Sequence, residues 1–211
     1  TPIQLSAERL GRKYAALAGE QRPQFERCLA TIGDQVEIIR RLIDEFSTFA
    51  RMPAAELKPE PVVDIVKRTV ELQRAGCPGI AFRVDAPDRD VRLTCDGRKV
   101  AQALTNLLQN AAQAIGETGV ETGEIVVAVE LRWPEVLVQV ADNGPGWPDT
   151  DLQRLTEPYV TSREHGTGLG LAIVKRIMEE HGGRLLLADR PQGGAIVTLA
   201  FAASALDSVA A

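Results

Sequence analysis

Three short clusters in this chain combine residue types suited to handling a polyphosphate. In Asn106-Leu-Leu-Gln-Asn110-Ala-Ala-Gln-Ala the two asparagines stand four apart, which places both amides on one face of a helix. Asparagine is a mediocre helix former because its side chain competes for the backbone, so a pair on one face of a Leu/Ala helix calls for a reason. Mg²⁺ held by triphosphate oxygens needs only one or two hard oxygens from protein, and an amide oxygen serves. Two asparagines bonded to neighbouring loops would leave the same pattern. The second cluster, Asp142-Asn-Gly-Pro-Gly146, follows directly on the strand-like Val136–Ala141. A carboxylate there, beside glycines that admit close backbone approach, suits an acceptor for an exocyclic amine such as that of adenine. A plain turn built from Asn-Gly and Pro-Gly is the alternative. In the third, His165-Gly-Thr-Gly-Leu-Gly-Leu-Ala-Ile-Val-Lys175, three glycines alternate into a helix start, where free N–H groups form a phosphate site. Alone this last pattern is weak, and it departs from the dinucleotide fingerprint, which follows a strand rather than a long loop. No P-loop pattern occurs.

Hydrophobic periodicity predicts the elements that must carry these clusters. Ile3, Ala7, Leu10, Tyr14 and Leu17 recur at alternating steps of four and three, as do Phe25, Leu29, Ile32, Val36, Ile39, Ile43, Phe46 and Ala50. That spacing marks two helices with coiled-coil-like seams, joined through the breakers of Ala18–Pro23 into an antiparallel hairpin. Two helices bury little by themselves, so a four-helix bundle made by two chains is expected, with a hairpin docked on the rest of the chain as the alternative. Residues 1–52 form this hairpin, and the proline-rich residues 53–61 read as a linker. Residues 62–203 alternate helices (Val62–Gln73, Asp96–Ile115, a third ending near His181) with strands (Ile80–Val84, Val91–Leu93, Ile125–Leu131, Val136–Ala141, Arg184–Ala188, Ala195–Phe201). Asp96 is placed to cap the long helix. The fold class is an α/β sandwich, a mostly antiparallel sheet with helices on one face, and residues 204–211 are a frayed tail.

Composition narrows the function classes. The 211 residues carry 24 basic and 29 acidic side chains, a net charge of −5 that argues against nonspecific nucleic-acid binding. Aromatic residues are only 4%, too few for base-stacking platforms. Cys28, Cys77 and Cys95 are odd in number and too widely spaced for a zinc or redox motif, so reduced, buried thiols are expected. With His165 and His181 as the whole histidine complement, a multi-histidine metal site is excluded. His181 precedes Gly182-Gly183 and is expected as a helix-end cation; His165 is expected as a solvated loop residue, with a phosphate contact as the alternative. No leader or membrane-length apolar run is visible, and the opening Thr1 marks the chain as a piece of something longer.

Taken in order, the Asn106–Asn110 helix, Asp142-x-Gly-x-Gly146, Glu157-Pro-Tyr-Val-Thr-Ser162 and Gly166-x-Gly-x-Gly170 resemble the N, G1, F and G2 boxes of sensor histidine kinases, which are Bergerat-fold ATPases. The resemblance covers about residues 60–202. Thr1–Leu10 and Ile43–Pro53 extend it, looking like the nitrogen-regulation (NtrY-like) sensor kinases.

The resemblance implies a Bergerat-type sandwich behind a hairpin from a dimeric four-helix bundle, with ATP and Mg²⁺ as cofactors. It implies that Asn110 coordinates the metal and that Asn106 sits near the reacting phosphoryl group. Asp142 would take the adenine amine, with Gly144 and Gly146 shaping the pocket wall. Thr161, Gly166, Thr167, Gly168, Leu169 and Gly170 would belong to a mobile lid over the phosphates, with Tyr159 packing its base. Arg163 would be the catalytic cation, since Gln113 stands where some relatives have a phosphate-binding lysine. Asn106 also occupies the place where ATP-hydrolysing relatives carry a glutamate base, so transfer is favoured over hydrolysis. The acceptor histidine of the family precedes the stretch resembling Thr1–Leu10, so this piece is expected to bind ATP without labelling itself. The implied function is transfer of the γ-phosphoryl group to a histidine and thence to a response regulator receiver domain, from the cytoplasmic portion of a membrane-anchored homodimeric sensor. A nucleotide-dependent dimerisation or scaffold module is the alternative.

Overall fold

The computed structural model describes residues 2–14, 17, 19, 21–50, 52–118, 122–148, 151–161 and 166–203. It divides into two compact units, residues 1–52 with 163–167 and residues 53–162 with 168–211.

The first unit is built on α1 (Pro2–Tyr14) and α2 (Arg22–Ala50), a helix of 29 residues. Pro23 falls in the first turn of α2, where its missing N–H is harmless; the breaker stretch before it lies partly outside the described residues. Among the described residues of this unit Ala7 is the one buried apolar side chain. Against expectation Cys28, in α2, is exposed; of the three cysteines only Cys95 is buried, with Cys77 half-buried. Ile3, Leu10, Tyr14, Ile32, Ile39, Ile43 and Phe46, all on the expected seams, are between 41% and 60% exposed.

The second unit holds β1 (Lys58–Pro61), α3 (Val62–Gly76), β2 (Ile80–Asp85), β3 (Arg92–Cys95), α4 (Gly97–Thr118), β4 (Gly123–Arg132), β5 (Glu135–Asp142), α5 (Gly170–Glu180), β6 (Arg184–Asp189) and β7 (Ala195–Ala202). Five strands form one sheet in the order β2-β4-β5-β7-β6. β2 and β4 run parallel, which the α4 crossover permits; every other pair is antiparallel. The expected sandwich is therefore present. α4 buries Val100, Ala103, Leu104, Leu107, Leu108, Ala111, Ala114 and Ile115, a stripe at steps of three and four. α5 does the same with Ile173, Val174, Ile177 and Met178, and Leu199 and Phe201 of β7 complete the core.

Three features differ from expectation. Within the proline-rich stretch, β1 pairs antiparallel with β3 as a separate two-stranded sheet. Pro59 and Pro61 alternate along it, so the missing N–H groups fall on every second residue and one side of the strand still bonds. A 3-10 turn at Arg154–Thr156 interrupts the long glycine-rich loop. Finally, His181 is no helix-end cation. Its Nε2 accepts the Asp96 N–H at 3.0 Å while Nδ1 donates to the Ile177 carbonyl at 2.7 Å, the pattern of a neutral imidazole. The ring also meets Phe201 edge-on, with centroids 5.9 Å apart.

Asp96 caps α4 as its position suggests. Its Oδ1 accepts the Arg98 N–H at 3.0 Å and the Lys99 N–H at 3.4 Å. Burial pushes the carboxyl group's pKa up, but hydrogen bonds from the Glu56, Lys99 and Arg98 N–H groups and the Arg98 charge outweigh it, holding the group below its usual range.

Candidate functional site

α4 presents Asn106, Asn110 and Ala114 at successive steps of four, on one face. Two of the other clusters meet that face. Gly170 opens α5 against Asn110: a Cβ there would lie 3.4 Å from Asn110 Nδ2 and 3.5 Å from its Oδ1. Gly144 lies against Ala114, where a Cβ would be 3.3 Å from the alanine Cβ and 3.0 Å from Asp142 Oδ1. Glycine at both positions lets a loop and a helix start close on α4 with little space between. Asn110 thus faces the N-terminus of α5, which has no side-chain cap. One turn earlier, Asn106 Nδ2 is buried with no hydrogen-bond partner among the described residues. An unpaired buried amide is costly unless something outside the chain meets it.

Strand parity sets the carboxylate. Along β5, Val136, Val138, Val140 and Asp142 are the buried alternates, so Asp142 points to the side that the helices cover. It is 6% exposed, and its Oδ1 accepts N–H groups from Gly144 at 2.9 Å and from Ala195 at 3.3 Å. Its neighbours are held as firmly. Asn143 accepts the Glu124 N–H on Oδ1 at 2.8 Å and donates Nδ2 to the Thr122 carbonyl at 2.8 Å, pinning the turn to the start of β4. Arg190 donates to the Asp142 carbonyl at 3.3 Å and to Glu124 Oε2 at 3.2 Å. Gly194, at φ +103°, passes so close that a Cβ would fall 2.0 Å from the Asp142 carbonyl oxygen. The turn of the β6–β7 hairpin is therefore part of the site. The Gly193-Gly194 pair was its only local signal in the sequence; Arg190 had none, because its partners are 48 and 66 residues away. Gly146 takes φ +81° in the turn.

The residues expected to form a lid are distributed differently. Tyr159 (φ +66°) donates its N–H to the Gly168 carbonyl at 3.0 Å, and Gly168 (φ +67°) lies against the Tyr159 backbone. Tyr159 as a whole is 60% exposed, and the contact it makes with Gly168 runs through its backbone. Leu169 is fully buried, so its side chain is core and only its backbone can meet a ligand. Thr161 is exposed. Gly166 and Thr167 group with the first unit, and Arg163 and His165 lie outside the described residues. Among the described residues no cluster of three or more His, Cys, Asp or Glu side chains could hold a metal ion. The hard oxygen facing the start of α5 is the Asn110 amide, one ligand rather than a cage, and that suits an ion bound mainly by something else.

Known proteins are similar to this chain in sequence and in fold. Over 196 residues, 92% of this chain and 25% of the relative, the sequence is 46% identical to the nitrogen regulation protein NtrY of Azorhizobium caulinodans. It is 32% identical to the sensor histidine kinase ZraS of Escherichia coli over 186 residues, 87% of this chain and 39% of the relative. The chain thus spans a quarter to two fifths of these relatives' length. Among solved structures, the nucleotide-free catalytic domain of histidine kinase ThkA superposes with a TM-score of 0.64 at 27% identity, covering 72% of this chain and 99% of that one. ThkA in complex with the response regulator protein TrrA gives a TM-score of 0.69 over 96% of this chain and 64% of that one; its 21% identity speaks to the fold alone. Residues 95–205, which carry both asparagines, Asp142 and the glycines around them, match a family directly, and that match makes the chain a member of the histidine kinase-, DNA gyrase B- and HSP90-like ATPases.

Proposed function

We propose that this chain is the ATP-binding catalytic region of an NtrY-like sensor histidine kinase, moving the γ-phosphoryl group of ATP to a histidine and from there to a response regulator aspartate. The observation that carries this is the meeting of Asn110, Gly170, Gly144 and Asp142 along one face of α4. In that arrangement the Gly144 and Ala195 N–H groups fix the Asp142 carboxylate, which receives the adenine amine. The N-terminus of α5, where the N-cap residue Leu169 gives no side-chain cap, offers N–H groups to the phosphates. Asn110 would hold Mg²⁺ through its amide oxygen, and the ion would supply positive charge against the phosphates. Asn106 Nδ2, unpaired among the described residues, donates to the reacting phosphoryl group. Neither asparagine can abstract a proton from water at neutral pH, which favours transfer over hydrolysis. Thr161, Gly166, Thr167, Gly168 and the backbones of Leu169 and Gly170 form the lid, with Arg163 as its cation.

The exposed apolar seams of α1 and α2 support a homodimer through the hairpin, closing a four-helix bundle. A receiver domain as phosphoryl acceptor is supported by the fold shared with ThkA, which was captured with its regulator. No described helix is long and apolar enough to cross a membrane; a cytoplasmic position in a membrane-anchored parent rests on the family resemblance. His181 is not the acceptor, since both ring nitrogens are bonded to backbone.

Calorimetry on Asp142→Ala tests the site. Loss of a charge-assisted hydrogen bond of about 1.5–3 kcal/mol weakens ATP roughly 10- to 150-fold. Equal affinity in parent and variant would overturn the adenine assignment. A histidine-bearing hairpin supplied in trans with γ-labelled ATP should gain acid-labile, base-stable label; nucleotide binding with no such label would favour the scaffold alternative.

A further inference from the structure

At the other end of the α4–α5 pair from the nucleotide site lies a second buried polar cluster. Asn110 of α4 meets Gly170 at the start of α5, and Asp96, just before α4, meets His181 at the end of α5, so the two helices run antiparallel. Lys99, in the first turn of α4, is 6% exposed. Its Nζ donates to the Glu180 carboxylate and to the main-chain carbonyl of Pro53. Asp96 is 3% exposed, and its Oδ2 accepts the main-chain N–H of Glu56 at 3.2 Å. Residues 52–57 form neither helix nor strand, yet two of their backbone groups are held by buried charges on distant elements. A buried ion pair is weak as a stabiliser, because apolar side chains of similar size do as well or better. Lys99 therefore needs a reason beyond Glu180, and the Pro53 carbonyl supplies one.

We propose that Lys99 and Asp96 are positioning residues for phosphoryl transfer. They fasten residues 53–56, through which the chain passes from the hairpin into the α/β unit, to the start of the helix that carries Asn106 and Asn110. The path from the hairpin to the nucleotide site then runs through a fixed point instead of a loose tether, and ATP binding does not depend on it. This rests on the kinase reading, but the fastening can be measured without it.

Lys99→Met keeps the apolar stem and removes the donor, and Arg176, 3.7 Å from Glu180, stays to balance that carboxylate. A glutamate-specific protease reports the segment, because Glu56 precedes Leu57 whereas Glu60 precedes Pro61 and resists cleavage. Under native conditions cleavage after Glu56 should accelerate about tenfold or more, the effect of losing one charge-assisted hydrogen bond. In the full-length protein, the transfer rate at saturating ATP should fall by a similar factor while KM for ATP stays within about twofold, and Lys99→Arg should recover most of the rate. Unchanged cleavage would overturn the fastening. Transfer and ATP affinity falling together, or full transfer in Lys99→Met, would overturn the positioning role. A full-length parent that binds ATP and transfers nothing would defeat the kinase reading and the positioning role with it, while the cleavage rates would still decide the fastening.

Discussion

Phe46 in the hairpin is 51% exposed, and Phe201 in the α/β sheet is 2% exposed. Both follow their local periodicity faithfully, one on a seam of fours and threes, the other on the inward parity of a strand. The difference is what lies opposite. Phe201 faces α5, whose stripe the same chain supplies, whereas Ile32, Ile39, Ile43 and Phe46 on the seam are between 42% and 59% exposed among the described residues. Patterning states which face of an element is to be buried; it does not state which molecule buries it. The α/β unit buries its own apolar faces, and the hairpin leaves its seam exposed among the described residues.

The sharpest way to break that comparison is to make one substitution twice. Phe201→Ala should destabilise the α/β unit by about 3–5 kcal/mol, the range for a large core side chain lost to a cavity. Phe46→Ala should leave that unfolding transition in place and shift only the concentration dependence of the hairpin's, as read by urea titration at several protein concentrations. A drop in α/β stability from Phe46→Ala would show that the seam is covered from within the chain. The next effect is ligand-linked. At a concentration one hundred times its Kd, Mg²⁺–ATP should raise the stability of the α/β unit by about 2.7 kcal/mol and leave the hairpin's transition unmoved. Asn110→Ala should erase the part of that gain that depends on Mg²⁺, and an equal gain in parent and variant would place the metal elsewhere.

The smallest effect concerns acid. The pKa of Asp96 is held below its usual range in the folded state, so its contribution is full at neutral pH. It is lost as pH falls beneath the ordinary aspartate value of about 3.9 and through the lower folded value. Asp96→Ala should cost about 1 kcal/mol at pH 7 and flatten that part of the acid limb. Neither hairpin helix has an acidic residue in its first turn, so no matching loss is expected there. Equal acid sensitivity of parent and Asp96→Ala would show that the cap is not the source.

Much of the site was legible because its determinants are local. Asn106 and Asn110 share a helix face by spacing alone, Asp142 inherits its direction from the valines before it, and Asp96 caps α4 from the adjoining position. The glycines at 144 and 170 were visible as glycines, but what each makes room for was not. Ala114 and Asn110 lie far from them along the chain, and only packing shows the approach. The resemblance placed Leu169 and Tyr159 in the lid; the structure buries Leu169 completely and leaves Tyr159, at φ +66°, 60% exposed.

By itself the sequence determined the alternation of elements, the faces they bury and the order of the candidate nucleotide-site residues. All of these follow from period, capping and backbone freedom within a few residues. Only the tertiary structure decided that Lys58–Pro61 would be a strand, that the His181 ring would accept from Asp96 85 residues away, and that Arg190 would hold the carbonyl of Asp142. A hydrogen bond satisfies a donor with whatever acceptor folding brings beside it, and no local pattern records which one that is.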